Sequence, residues 1–305
     1  MRRILIPKSH RTWRTIYVPG PAEKARLRGL VPVLHRLERS AAERHGTIHV
    51  AHGFVPHRSP VTCALAHLNC AWTLTADLAD WFDHIHESQI AHGIELGGGD
   101  PNVAAQLCVD GAPQQGLPTS PIAANLAAIP MDRWILDRLP PDAVYTRYAD
   151  DLQLSLRTAP HDPQAIVGIL EEAASHMGWQ IAPHKTRIYD ARRGHRIIVG
   201  IAVGSRSIAI PRTTRRRLRA ARHQRPQHPH TQGLEEWCRL LLPRALRPRR
   251  RLRFEQATDT PPAGLSSLST PSSRISHAGT IERSQQHKPG LRRVFRFSVR
   301  NQSSP

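Results

Sequence analysis

Apolar and polar residues alternate along Ala71-Trp-Thr-Leu-Thr-Ala-Asp77 with the period of two that a half-buried strand requires. The pattern predicts a strand ending on an aspartate, then a short helix running through Ile85. Gly97-Gly98-Gly99-Asp100-Pro101 marks a loop. From Ser120 towards Leu139 the residues favour a helix, which Pro140-Pro141 must stop. Val144 to Tyr148 and Leu152 to Leu156 read as two strands around the acidic turn Ala149-Asp150-Asp151. In the next helix Asp162 is the cap, Pro163 takes the first position and Gly178 supplies the stop. Ile166, Ile169, Leu170, Ala173 and Met177 share its apolar face. Two further strands, Arg196 to Val203 and Ser207 to Ile210, meet at a turn on Gly204-Ser205. The mixture predicts an α+β body up to about residue 240, with no internal repeat.

Beyond Pro243 this patterning ends. An arginine run (Arg247, Arg249, Arg250, Arg251, Arg253) is mixed with Ser, Thr, Pro and Gln, a composition that predicts disorder. The 305 residues suffice for a sizeable core without staples. Cys63, Cys70, Cys108 and Cys238 form no Cys-x-x-Cys pair, which suits a reduced, intracellular compartment and gives no zinc-knuckle signature. No segment approaches the ~18 consecutive apolar residues of a membrane helix, and MRRILIPKSHR does not resemble a cleaved leader, so the expectation is a cytoplasmic protein without a membrane partner. Lys and Arg number 43 against 24 Asp and Glu, for a net charge of +19. A polyanionic partner follows from that balance as readily as a solvated basic surface does.

The acidic turn changes the picture. Adjacent carboxylates at a hairpin tip repel and raise each other's pKa unless a cation compensates. Oxygen ligands alone, without cysteine or histidine, favour Mg²⁺, with Mn²⁺ as the alternative, over zinc. Taken by itself, Tyr148-Ala149-Asp150-Asp151 suits a solvated turn at least as well as a site. Asp77 shifts the balance, because it also ends a strand, and neighbouring strands would bring the three carboxylates to one sheet edge. Asp77, Asp150 and Asp151 could then bridge two ions roughly 3.5–4 Å apart, the geometry that clamps an in-line phosphoryl displacement.

With these residues in view, the chain resembles the bacterial reverse transcriptases, particularly those of retrons and related antiphage systems, over about residues 4 to 240. Ile6-Pro7-Lys8 with Arg14-Thr15-Ile16-Tyr17-Val18-Pro19 is similar to the family's first fingers motif, and Ala51 to Ser59 to its second. Asp77-Leu-Ala-Asp-Trp-Phe82-Asp-His-Ile85 resembles the first palm motif. Gln115-Gly-Leu-Pro-Thr-Ser-Pro121 with Asn125 resembles the next, and Tyr148 to Asp151 the third. Pro183-His184-Lys185-Thr186 stands where the family has a lysine motif, and Ile198-Val199-Gly200 where it has a primer-grip hairpin. Two details depart from the retron pattern: Cys63 replaces the asparagine of Asn-Ala-x-x-His, and Ile198-Val199-Gly200 replaces Val-Thr-Gly.

The resemblance implies a right-hand polymerase with fingers (1–70), an antiparallel palm sheet (71–204, with a fingers-associated insertion near 90–118), a short helical thumb (205–242) and a basic, disordered tail (243–305). It implies RNA-directed DNA synthesis with Mg²⁺ (or Mn²⁺) and deoxynucleoside triphosphates. An RNA template and a DNA product would be partners, as would a structured non-coding RNA if the retron likeness extends that far. Site roles follow from the same likeness. Asp77, Asp150 and Asp151 would hold metal, with Leu78 beside them, and Lys185 would protonate departing pyrophosphate. Lys8 and Arg14 would contact the triphosphate. Phe82 would lie beneath the sugar and exclude a 2′ hydroxyl, and Gln115 and Gly116 would border the nucleotide. Arg58, Gly200, and Arg215 and Arg219 of the basic stretch 212–223 would contact nucleic acid. Two rivals keep the same fold: a catalytically silent RNA-binding protein, and a polymerase with protein-primed or untemplated synthesis in phage defence.

Overall fold

The computed structural model describes residues 1–8 and 13–240. The tail expected to be disordered, 243–305, lies outside the described residues. In chain order the elements are β1 (Arg2–Pro7), β2 (Trp13–Val18), α1 (Pro21–Arg44), α2 (Pro60–Ala66), β3 (Trp72–Asp77), α3 (Trp81–His84), α4 (Glu87–Leu96), α5 (Ser120–Arg138), β4 (Val144–Tyr148) and β5 (Asp151–Leu156). They continue with α6 (Pro163–His176), β6 (Arg187–Asp190), β7 (Arg196–Ile198), β8 (Ile201–Val203), β9 (Ile208–Ala209), α7 (Arg212–Gln224) and α8 (Pro229–Leu240). Strands β1 and β2 form a two-stranded antiparallel ribbon, β4-β5-β3-β6 an antiparallel sheet, and β7-β8-β9 a small meander.

The edge strand β6 of the central sheet is largely exposed, while strands β4, β5 and β3 are buried on both faces, which differ chemically. On one, Leu74 pairs with Leu154, Trp72 with Leu156 and Ala76 with Leu152, and this row joins Ile122, Leu126, Ile129, Ile166 and Leu170 in the main core. Helix α5 is buried nearly all round. Its alanines permit close approach by α4, where a Cβ on Gly93 would stand 2.4 Å from the Leu126 carbonyl oxygen. The opposite face carries Thr73 paired with Ser155 and Thr146 paired with Gln153, roofed by α2. His67 of the turn after α2 is fully buried and bonds Ser155 Oγ and Thr146 Oγ1, both at 2.8 Å. The alternation at 71–77 therefore reports a change of core chemistry rather than a solvent face; β3 is not half-buried because hydrogen bonds, instead of water, satisfy its polar side.

One expected strand divides in two. Arg196 to Val203 is not continuous: Val199 at φ +44° and Gly200 at φ +73° form a two-residue reversal between β7 and β8. Other elements carry a signal that apolar alternation does not expose. The 24-residue α1 buries Leu27, Leu34 and Ala41 at intervals of seven despite Pro32 in its interior. Short β6 adds to the edge of β3 through four residues of mixed polarity. No helix among the described residues is long and apolar enough to cross a membrane.

Candidate active site

Strand register sets the carboxylates. Asp77 ends β3 directly opposite Asp151, which opens β5, so two like charges face each other across the ladder, an arrangement that costs stability unless something neutralises it. Asp150 occupies the turn between β4 and β5, and its carbonyl accepts a 3.0 Å bond from the Leu78 amide. Burial, then the neighbouring carboxylates, push both turn carboxyls above the ordinary range, Asp151 to about 6. Lys185, from the helical turn Pro183–Lys185, donates to Asp77 Oδ1 at 2.6 Å, and that bond raises the ammonium's pKa. A lysine thus supplies part of the positive charge that the aspartates demand.

A second network fixes the turn itself. The Arg147 guanidinium, fully buried on β4, pairs with Asp132 at 2.8 Å, donates to Asn125 Oδ1 at 2.9 Å and reaches the Ala149 carbonyl at 3.3 Å. Asn125 in turn donates to the Gly53 carbonyl at 3.0 Å. Gly53 lies so close beneath the turn that a Cβ there would meet the Ala149 nitrogen at 2.5 Å. Ala149 adopts φ +56°, a left-handed conformation that costs a non-glycine residue energy. The clamp of Arg147, Asn125 and Gly53 holds it there.

An open cleft of about 690 Å³ runs from this turn to the β1–β2 ribbon. It gathers Lys8, Arg14, Asp77, Phe82, Gln115, Gly116, Asp150 and Lys185 from the residues singled out in sequence. The ribbon is seated by the Tyr17 amide, which donates to the Gln115 carbonyl at 2.7 Å. Gly116 at φ +105° permits that contact, since a Cβ would fall 2.3 Å from the Tyr17 carbonyl. Asp151 sits beside the cleft on β5. Leu78 is buried by its side chain, yet its bridge to Ile181 uses the Ala79 amide and the Asp77 carbonyl, leaving the Leu78 carbonyl out of that pairing.

Four residues lie elsewhere. Arg58 donates to the carbonyls of Ala51 (2.6 Å) and Ile48 (2.5 Å), organising the loop before α2. Gly200 lies in the β7–β8 turn near Trp237 of α8. Arg215 and Arg219, four residues apart, are exposed on α7, which buries only Leu218. Sequence reasoning passed over Asp80, Trp13, Phe54 and Asp83, which also line the cleft. Asp80 is in the motif after Asp77, and nothing in its spacing separates it from a helix cap.

The oxygen-only set of Asp77, Asp150 and Asp151 fits a hard divalent ion by donor chemistry, and the raised carboxyls are what an uncompensated metal site should display. Among the described residues, however, no three His, Cys, Asp or Glu side chains are gathered into a ready cage. The Asp77 carboxylate is engaged by Lys185 instead.

Residues 6–208 match the family described as reverse transcriptase (RNA-dependent DNA polymerase). Among curated proteins, the retron Mx162 reverse transcriptase of Myxococcus xanthus is 32% identical over 72% of this chain and 51% of its own length. The retron Ec86 reverse transcriptase of Escherichia coli is 28% identical over 69% of this chain and 64% of its own. The chain spans about half the length of the first of these relatives. Among solved structures, telomerase from Candida albicans, in complex with a fragment of telomeric RNA, superposes with a TM-score of 0.50 at 14% identity, over 69% of this chain and 45% of that one. That likeness concerns the fold alone.

Proposed function

The chain belongs to the reverse transcriptase family, and we propose that it extends a primer 3′ end with deoxynucleotides along an RNA template. One observation carries this reading: a single cleft joins the strand-end carboxylates Asp77 and Asp150 to the basic ribbon residues Lys8 and Arg14. Carboxylates at one end and cations at the other match a nucleoside triphosphate lying along the cleft with its phosphates between them.

In this reading 1–70 act as fingers, 71–204 as palm and 205–242 as thumb. Asp77, Asp150 and Asp151, with the Leu78 carbonyl, would hold Mg²⁺, which would supply there the positive charge that a 3′ hydroxyl attack and a leaving pyrophosphate require. Lys8 and Arg14 orient the triphosphate. Phe82 closes the cleft floor beneath the sugar, where a 2′ hydroxyl would collide with its ring. Gln115 and Gly116 border the base, and Gly116 lets the backbone approach closely. Lys185, bonded to Asp77 at 2.6 Å, lines the same cleft as Lys8 and Arg14 and in this reading hands a proton to the departing pyrophosphate. Arg215 and Arg219 on the exposed face of α7 meet phosphates of the duplex.

The test is extension of a labelled DNA primer on an RNA template with Mg²⁺, comparing the protein with its Asp150→Ala, Asp151→Ala variant. Template-dependent product that disappears in the variant supports the reading. Salt-sensitive RNA binding without product from either protein favours a silent RNA-binding role.

A further inference from the structure

Lys8 follows β1, and its ammonium crosses the cleft to form an ion pair with the Asp80 carboxylate, both side chains remaining about half exposed. We propose that Asp80 is a positioning residue that latches Lys8 in the nucleotide-free protein and surrenders it to the triphosphate. This inference rests on the reading of the cleft as a nucleotide site and adds a residue which that reading does not use.

Three features of the structure point to a latch rather than a casual surface pair. The ribbon to which Lys8 belongs is a lone two-stranded unit, with every residue of β1 exposed. Such a ribbon has little stability of its own and takes its position from the few contacts that tie it down. Its ties to the remainder of the cleft include the Tyr17–Gln115 backbone bond and, at the far end, Lys8 to Asp80. Second, Asp80 is presented rigidly: it sits at φ 42°, ψ 42°, and its carbonyl accepts from the Asp83 amide at 2.9 Å and meets His84 Nδ1 at 3.0 Å. The backbone is committed, and among the described residues the hydrogen-bond partner of the carboxylate is Lys8. Third, Asp80 precedes Trp81 and Phe82, which also line the cleft. A triphosphate entering above Phe82 therefore arrives at the ion pair.

The exchange is a competition between anions for one ammonium. One carboxylate holds Lys8 closed over an empty cleft, whereas a triphosphate brings several charges and takes it away. Removing Asp80 should therefore tighten nucleotide binding, the opposite of what loss of a substrate contact does. An exposed pair of this kind corresponds to about a two- to fivefold change in affinity.

The experiment is a double-mutant cycle on Asp80→Asn and Lys8→Met in the full chain. Asparagine suits the test because it tolerates the left-handed backbone as aspartate does. Binding of dTTP is followed through the fluorescence of the cleft tryptophans, and KM for dTTP by primer extension. The expected result is a two- to fivefold fall in Kd and KM for Asp80→Asn, and no further fall when the same change is made in Lys8→Met. An equal gain in both backgrounds would mean simple repulsion between Asp80 and the triphosphate and would overturn the latch, as would no gain in either. If the protein binds dTTP with the expected coupling but extends no primer, the latch stands and the polymerase reading falls. If it extends primers and the coupling is absent, the latch falls alone. A wild-type protein that binds no dTTP refutes both.

Discussion

Removal of the Asp132 carboxylate should be among the most damaging single changes available to this fold. Asp132 and Arg147 are both about 1% exposed, and their pair makes bonds of 2.8, 3.0 and 3.2 Å. The same carboxylate accepts the Tyr145 hydroxyl at 2.9 Å. Asp132→Ala strands a guanidinium and a phenol together in the core, where breaking one side of a buried pair costs about 3–5 kcal/mol. Set against a total stability of about 5–15 kcal/mol, that is a large fraction. For a body of this size it corresponds to a fall in Tm of about 6–20 °C. Urea unfolding monitored by tryptophan fluorescence measures it. The decisive comparison is Asp132→Leu combined with Arg147→Met, which removes both charges and should recover the share of the loss due to the stranded guanidinium, leaving about 1–3 kcal/mol for the Tyr145 hydroxyl and Asn125 amide that lose their partners. Primer extension should nevertheless remain low in the double variant, because the bonds from Arg147 to Asn125 and Ala149 that hold the Asp150 turn are gone. A single variant costing under about 1 kcal/mol, or a double variant no better than the single, would refute the reasoning.

The other expectations are shorter. In divalent-free buffer the raised Asp151 carboxyl, about 6 when folded, lies above its unfolded value near 3.9, so its contribution to stability is full below about pH 4 and is lost as pH rises through 6. Asp151→Asn should therefore gain on wild type across that window by up to about 3 kcal/mol, read as a widening Tm difference between pH 4 and 7; a constant difference would contradict the assignment. Gly53→Ala drives a Cβ to 2.5 Å from the Ala149 nitrogen and should cost about 1–3 kcal/mol with a fall in kcat; an unaltered kcat would show that the turn need not be held. Changing Arg215 and Arg219 to Gln should reduce the slope of log affinity for RNA against log salt by about 1.5, and an unchanged slope would place the RNA on another face.

Legibility in the sequence followed the physics of each element. Strands β4 and β5 and helices α5 and α6 were readable to within a residue or two, because alternation, a proline stop or an Asp-Pro start marks their ends. The chemistry of β3 was half readable: the pattern gave the strand and its terminal Asp77, while burial of its threonine side depended on His67 and Cys63, contributed by a segment some eighty residues distant from their partners Thr146, Gln153 and Ser155. Helix α1 escaped because Pro32 interrupts its pattern. The β7–β8 reversal escaped the alternation pattern because valine is an uncommon choice at positive φ, and only the likeness of Ile198-Val199-Gly200 to a family hairpin pointed to it. Among the candidate site residues, those in the cleft were legible as motifs. Asp80 was not, since its partner Lys8 is 72 residues away and no local rule couples them.

The two ends of the cleft are built to different standards of rigidity, and that difference fits the proposed chemistry. At the carboxylate end the Asp150 turn is held by the β4–β5 ladder, by the Leu78 amide, and by the buried clamp of Arg147, Asn125 and Gly53. Displacing it would break several buried bonds at once. At the other end, among the described residues, the β1–β2 ribbon is tied by the Tyr17 side chain packed on Leu27 and Leu117, by one backbone bond near Gly116 and by one exposed ion pair, while every residue of β1 stays exposed. Ions and the attacking hydroxyl need fixed ligands, because an error of about 1 Å in the reacting geometry costs about a hundredfold in rate. A nucleotide that must enter, be sampled and leave needs the opposite, a wall that opens for little free energy. On the proposed reading the buried Arg147 clamp and the exposed ribbon are parts of one arrangement, in which buried hydrogen bonds hold the carboxylate edge still and surface charge lets the opposite wall move.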